Sequence, residues 1–280
     1  MGKLGRKFWL IVLSGLLMIQ LVVLTFYFRD QRYLEDLADR IVPASLLPSE
    51  QVKQILAFLR AKPGYTSNSY FLFPALGFLR PTARQVAEQG GDCADRSRLL
   101  VVLMRFRGIR ASKWALYSGD PQPRHAVVEV RVETGNMVVD PLYGLWFPRP
   151  EGGFYGIRDL KENPGILSAR IRCLVSRGER PGTLPLEKYP IDDYTYEHFR
   201  SVNWSKSAGM RLIYALLHEL MGERVDEIPR PGLAEQPALM VAVAVVPLEG
   251  VALVLWLLAV GRRRTVRSGQ SLISEAKSRP

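Results

Sequence analysis

The chain has 280 residues, of which 48% are hydrophobic, and it carries a formal net charge of +11. Much of the positive charge lies near the two ends of the sequence. No stripe of Lys and Arg interleaved with aromatic residues lies between them, so we predict no nucleic-acid partner. The apolar residues are concentrated in two long runs, which indicates attachment to a membrane.

The first apolar run, at residues 8–28, contains no charged side chain. A helix needs about 20 residues to cross a bilayer, whereas the apolar part of a cleaved signal peptide has about 7 to 15. We therefore predict a transmembrane helix at residues 8–28, after a cytoplasmic tail at residues 1–7.

The second run predicts a transmembrane helix at residues 237–260, although Pro247 and Glu249 lie near its middle. A buried core helix is the alternative, but the arginine cluster in the tail at residues 261–280 is typical of a stop-transfer segment. Basic residues outside both runs predict cytoplasmic termini and an extracytoplasmic, periplasmic domain between the runs. A charged Glu249 would cost about 2.5 to 3.5 kcal/mol at mid-bilayer, so we expect that it either faces a membrane partner or is protonated.

The juxtamembrane region, residues 29–81, is predicted to be helical. Leu34 and Ile41 share one helical face, and two prolines interrupt the pattern before a second helix begins at Ser49. Such helices usually pack on a core, and we assign them no chemistry.

The densest pattern lies at residues 82–147, the predicted catalytic core. Asp92 fits a helix N-cap, residues 93–107 have the apolar periodicity of a helix, and Gly108 is a typical helix end. The pattern therefore places Cys93 in the first turn of a helix.

Three strands are predicted after this helix. Alternating side chains favour strands at residues 113–117 and 125–132, and the turn signal Gly135-Asn136 precedes a returning strand at residues 137–140. The alternation puts His125 on a polar strand face, away from the apolar one.

Residues 148–236 are predicted to be a C-terminal extension of the extracytoplasmic domain, with one helix near residues 210–221. We recognise no chemistry in this extension. His198 lies in a stretch without other catalytic signals, and His218-Glu219 lacks the second histidine that a zinc protease requires. We therefore predict no metal and no cofactor.

Cys93, His125 and Asp140 are the candidate catalytic residues. A thiol attacks as the thiolate, and the N–H groups at a helix start favour negative charge and can also hold an oxyanion. His125 is the best candidate base among the chain's three histidines. Asp140, at the end of the next strand, is the candidate that orients the imidazole.

Strand register limits this argument. If residues 133–136 form a four-residue loop, Asp140 lies opposite Glu129. Its carboxylate is then about 13 Å from His125, at about 3.3 Å per residue. A bulge, a wider turn or strong twist would have to close the gap, so the spacing alone leaves the triad open.

These motifs, in this order, resemble those of the transglutaminase-like superfamily. The matching segments are Gly91-Asp92-Cys93-Ala94-Asp95, Arg107-Gly108-Ile109-Arg110-Ala111, Arg124-His125-Ala126-Val127-Val128-Glu129-Val130 and Val139-Asp140-Pro141-Leu142-Tyr143-Gly144. The resemblance implies a papain-like α+β core, in which the helix bearing Cys93 packs on an antiparallel sheet. It also implies a Cys93, His125 and Asp140 triad that acts on amides through a thioester. Val127 departs from the pattern, since the family often has an aromatic residue there.

Several alternatives remain open at the level of single residues. Cys93 could be a buried small hydrophobe or could form a disulfide with Cys173. Gln85 and Gln89 are candidate oxyanion donors or plain helix-surface residues. Asp92 and Asp95 are interpreted as helix-capping acids.

Three functions remain compatible with the sequence. The first is a membrane-anchored cysteine protease or amidase acting on a protein or peptide substrate. The second is a cross-linking acyl transferase, in which an amine replaces water. The third is a non-catalytic peptide- or glycan-binding module of a membrane assembly.

Overall fold

A computed structural model describes residues 3–63, 80–119, 122–228 and 230–277. The chain divides into two compact units, a helical unit (Met1–Arg29 with Ala238–Pro280) and a domain unit (Asp30–Pro237). Part of the predicted juxtamembrane helical region, residues 64–79, lies outside the described residues.

In the described part of the chain, four helices precede the first four strands, and four more helices, with a fifth strand among them, follow. The elements in chain order are α1 (Lys3–Ile41), α2 (Pro48–Arg60), α3 (Ala83–Gln89), α4 (Cys93–Phe106), β1 (Ala111–Tyr117), β2 (His125–Val132), β3 (Gly135–Asp140), β4 (Leu145–Trp146), α5 (Ile157–Glu162), α6 (Gly165–Ser176), β5 (His198–Arg200), α7 (Ala208–Met221) and α8 (Pro237–Lys277). Short 3-10 helices cover Leu186–Lys188, Trp204–Lys206, Gly222–Glu227 and Gly232–Glu235.

Two helical segments, Lys7–Ile41 and Pro237–Val260, are long and apolar enough to cross a membrane. They include the predicted spans at residues 8–28 and 237–260, and they suggest membrane association. The predicted juxtamembrane helix is not a separate element, because α1 continues without a break to Ile41.

The five strands form one antiparallel sheet in the order β4-β3-β2-β1-β5. This mixed helix and antiparallel-sheet architecture is the predicted α+β class. The predicted four-residue loop between β2 and β3, at residues 133–136, was wrong. Val132 pairs with Gly135, so only Glu133 and Thr134 connect the two strands, and Gly135 (φ +127°) begins β3 instead of forming the turn.

One face of the sheet packs against helices. Val128, Val130 and Val132 of β2 contact a core built from α4, α3, α2 and the end of α1. In α4 the predicted apolar positions Leu99 and Leu103 are fully buried, which follows from their 3.6-residue periodicity. This packing fixes α4, and hence Cys93, against β2.

The opposite face of the sheet is also covered, contrary to the expectation of a polar face. Val127, Trp114 and Leu116 lie in a second core with side chains from residues 142–199, including those of α5 and α6. His125, on the same face as Val127, is only 2% exposed. The extension that was predicted to contain a single helix therefore supplies nine of the 17 buried residues of this second core.

A buried cluster of charges connects α4 to the segment that precedes α8. The Glu235 carboxylate lies 3.4 Å from Lys113, 3.5 Å from Arg98 and 2.5 Å from Arg230. Arg98 also lies 3.5 Å from Asp95, which is completely buried in the first turn of α4. Burial lowers the pKa of Lys113 to about 8 although Glu235 opposes the shift, so this cation depends on its partner.

Replacing Glu235 by Gln should destabilise the domain, because the buried Lys113 and Arg98 would lose the carboxylate that they share. Removing one partner of a buried ion pair costs about 3 to 5 kcal/mol. We expect a loss of this size in the free energy of unfolding, measured by near-ultraviolet circular dichroism of the full chain in detergent during denaturant titration.

Glu50→Gln provides the matched control, since it removes a surface ion pair with Lys53 (2.7 Å) by the same chemical change. Such pairs contribute about 0 to 1 kcal/mol. Equal effects of the two substitutions would show that the buried cluster does not hold the domain together.

Candidate active site

The start of α4 is held by its cap. The Asp92 carboxylate accepts a hydrogen bond from the Asp95 N–H (3.0 Å), and Arg80 forms an ion pair with Asp92. Burial opposes the charge of Asp92, but Arg80 and the cap hydrogen bonds lower the pKa of its carboxyl. Cys93, the first residue of α4, is half-buried and packs against the second core.

The turn before Cys93 is fixed by Arg96, whose side chain is fully buried. Its guanidinium donates to the carbonyl oxygens of Gly91 (2.9 Å), Leu59 (2.7 Å) and Lys62 (3.0 Å). A Cβ added at Gly91 would lie 2.8 Å from the Asp95 Cβ, so the close approach requires glycine. These contacts tie the end of α2 to the start of α4.

His125 and Asp140 are in contact. His125 Nε2 lies 2.6 Å from Asp140 Oδ2, and both side chains are buried. The two-residue connection explains the contact: Val128 pairs with Val139, which brings Asp140 to the level of Val127, two residues from His125 on the same face. The predicted separation of four residues was wrong because it assumed the longer loop.

The Asp140 carboxylate is itself held in place. Its Oδ1 accepts hydrogen bonds from the backbone N–H groups of Leu142 (3.0 Å) and Tyr143 (3.1 Å), immediately after Pro141. One oxygen of the carboxylate thus faces the turn and the other faces the imidazole. This arrangement fixes the orientation of the histidine ring.

The electrostatics around His125 favour its protonated form. Burial alone would lower the pKa of His125, but the Asp140 carboxylate and, after it, the Cys93 sulfur raise it to about 10. With Nε2 engaged by Asp140, Nδ1 is the ring nitrogen left for Cys93. The structure therefore brings together the three residues that the sequence singled out, and their catalytic role stays a prediction.

Tyrosines enclose the imidazole, and sequence reasoning missed them. Tyr194 stacks on His125 with ring centroids 4.1 Å apart and planes 6° from parallel. Tyr143 and Tyr189 approach the imidazole edge-on, with centroids at 6.1 and 6.5 Å. Tyr189 and Tyr194 belong to the extension, where the only signal was a local concentration of tyrosines between residues 189 and 196.

The remaining candidates have structural positions. Both cysteines are free, so the disulfide between Cys93 and Cys173 is not formed. The Gln85 side chain completes a capping box with Thr82 at the start of α3, so its amide oxygen is engaged there. Gln89 is exposed at the end of α3. Asp92 is a cap as expected, whereas Asp95 is a member of the buried charge cluster.

The family comparison covers the same part of the chain. Residues 35–141 match the model of the transglutaminase-like superfamily. The match begins within α1 and ends one residue after Asp140, so it includes Cys93 and His125. No curated protein and no solved structure matches the chain.

Replacing Asp140 by Asn should shift the titration of His125 to lower pH, because it removes the carboxylate that raises the pKa of the imidazole. We expect the wild-type ring to titrate near pH 10 and the variant ring clearly below it. The measurement is NMR of the full chain with ¹³C-labelled histidine, in which the other two histidines serve as internal references.

The same pKa shift predicts a pH dependence of stability. A folded-state pKa above the unfolded value of about 6.5 stabilises the fold fully below that value, and the contribution disappears as the pH rises to about 10. The stability difference between wild type and Asp140→Asn should therefore shrink across this window. A titration of His125 that is the same in both proteins would contradict the assignment.

Proposed function

We propose that the protein is a membrane-anchored cysteine hydrolase that cleaves peptide or glutamine-type amides, because residues 35–141 match the transglutaminase-like model. Cys93 is the nucleophile, His125 the general acid and base, and Asp140 the group that orients the imidazole. The observation that carries the proposal is the 2.6 Å contact between His125 and Asp140 beside the start of the helix that bears Cys93.

In the first step the Cys93 thiolate attacks the carbonyl carbon of the amide. The adjacent imidazolium and the start of α4 both favour negative charge on the sulfur. Asp140 keeps Nε2 engaged, so the Nδ1 proton faces the sulfur and the reacting amide. The pair is thus ready to react without a proton being removed during the attack.

The oxyanion of the tetrahedral intermediate needs a hydrogen-bond donor. At the start of α4 the Asp95 N–H is bound by the Asp92 carboxylate, and the Arg96 N–H donates to the Asp92 carbonyl oxygen. The Cys93 N–H, at the first helical position, is not required by the helix itself. We assign it as the backbone donor to the oxyanion.

Collapse of the intermediate completes acyl transfer. His125 donates its Nδ1 proton to the leaving amine, the C–N bond breaks, and a thioester to Cys93 remains. Neutral His125 then removes a proton from water, the hydroxide oxygen attacks the thioester, and the carboxylic acid leaves as the thiolate and imidazolium are restored. An amine in place of water would give a cross-link by the same steps.

The first test uses thiol reactivity, which distinguishes an enzyme from a non-catalytic binding module. Cys93 and Cys173 are both half-buried and free, so exposure alone predicts no large difference between them. We expect iodoacetamide to modify Cys93 faster than Cys173 at neutral pH, as measured by mass spectrometry of the intact full chain.

His125→Ala should bring the rate at Cys93 down towards that at Cys173, and Cys173→Ser should leave the rate at Cys93 unchanged. Similar rates at both cysteines in the wild-type protein would count against the hydrolase and favour the binding module. A fluorescent amine incorporated into a glutamine peptide would instead identify the cross-linking reaction.

The location of the domain is the second part of the proposal. Two apolar helices lead into and out of the domain unit, and basic residues lie outside both of them. By the positive-inside rule, the termini are cytoplasmic and the domain is extracytoplasmic, in the periplasm of a bacterial cell.

Reporter fusions at the C-terminus test this orientation. Green fluorescent protein, which matures in the cytoplasm, should fluoresce when fused after Pro280, and alkaline phosphatase at the same position should be inactive. The opposite pair of results would place the C-terminus, and the arginine-rich tail, outside the cytoplasm.

A further inference from the structure

Helix α7 is attached to the domain unit along one edge only. Ser207 caps its start by accepting a hydrogen bond from the Met210 N–H (3.2 Å), and Gly222, at φ +62°, ends it. Tyr214 holds the inner edge, with its ring centroid 5.8 Å from that of Trp204 and the Arg200 guanidinium 5.3 Å above it. None of the residues of α7 is buried.

The opposite side of α7 is a wide apolar stripe. Among the described residues of the domain unit, the exposed large hydrophobic side chains are two isolated leucines, Leu47 and Leu233, and five side chains on this helix. The five are Leu212 (63%), Ile213 (47%), Leu216 (60%), Leu220 (80%) and Met221 (43%). At 100° per residue, Leu212, Leu216 and Leu220 form the stripe's axis, roughly 160° from Tyr214. Ile213 borders the stripe, whereas Met221 lies on the side of Tyr214 and does not belong to it.

We propose that α7 lies in the surface of the lipid bilayer with this stripe facing the acyl chains. Both ends of the domain unit continue directly into helices long and apolar enough to cross a membrane. Only residues 222–236 separate α7 from α8, and most of them lie in 3-10 helices. The bilayer is therefore within reach of the stripe. An amphipathic helix binds there by burying its apolar face at the boundary between the headgroups and the acyl chains.

The charges of the helix set the kind of lipid contact. Within α7 the charges of Arg211 and Glu219 cancel, so the helix has no net attraction for anionic headgroups. Attachment depends on the burial of apolar side chains and should be insensitive to lipid charge. A third attachment point would also restrict the rotation of the domain about its two chain connections.

Spin labels on α7 test the proposal in the full chain. In a Cys93→Ser, Cys173→Ser background, the labelled positions are Leu216→Cys and Leu220→Cys in the stripe, with Ala215→Cys as the matched control outside it. All three positions are exposed, so the substitutions do not disturb the core. The protein is placed in nanodiscs of phosphatidylcholine, with and without phosphatidylglycerol.

We expect labels at Leu216 and Leu220 to collide more with oxygen than with a water-soluble nickel complex, and the reverse at Ala215, in both lipid mixtures. Equal access of the nickel complex to all three positions would overturn the proposal. Dipolar broadening between stripe labels of two copies would also overturn it, because a second chain would then cover the stripe. If the labels at Leu216 and Leu220 favoured oxygen over the nickel complex only in the presence of phosphatidylglycerol, binding that is independent of lipid charge would be overturned.

Discussion

The contact between the His125 imidazole and the Asp140 carboxylate is the interaction on which the candidate site depends. It exists because β2 and β3 are joined by only two residues, which sets their register and puts the two side chains on one face, two positions apart. A longer connection would shift the register of β3 on β2 and separate Asp140 from His125. The backbone N–H groups after Pro141 then hold the carboxylate, so a local turn orients a ring on the neighbouring strand.

The nucleophile is positioned independently of this pair. Cys93 opens α4, whose apolar face packs on the opposite side of β2, and Arg96 binds the carbonyl oxygens of Gly91 and Leu59. A buried cation with several carbonyl partners tolerates little movement, because each lost hydrogen bond leaves a desolvated charge. Helix α4 is therefore attached both to the sheet and to α2, and these two attachments position Cys93 beside His125.

The sequence was most informative where one periodicity dominated. The start of α4 at Cys93 and the apolar face of that helix followed from a cap, a 3.6-residue period and a glycine stop. The strand at His125 began as predicted. The register of the hairpin could not be predicted, because Gly135 suits both a turn and the start of a strand. Placing Gly135 in the turn instead of in β3 moves Asp140 by two positions relative to β2. The second core was also missed, because most of its residues from 142 to 199 lie in turns and short elements, and the helical spacing of Leu167, Ile171 and Leu174 in α6 covers only about two turns.

That second core changes the chemistry of the site. If the face bearing His125 were open to water, solvent would screen the attraction between the imidazolium and Asp140, and the pKa of the ring would stay nearer its usual value. Tyr189 and Tyr194 exclude water from the ring, and the stacking of Tyr194 leaves it little freedom to rotate. The burial that penalises the charged ring also strengthens the carboxylate's effect, and Asp140 together with the Cys93 sulfur raises the pKa of the ring. The extension is therefore part of the site, although the family match ends before it begins.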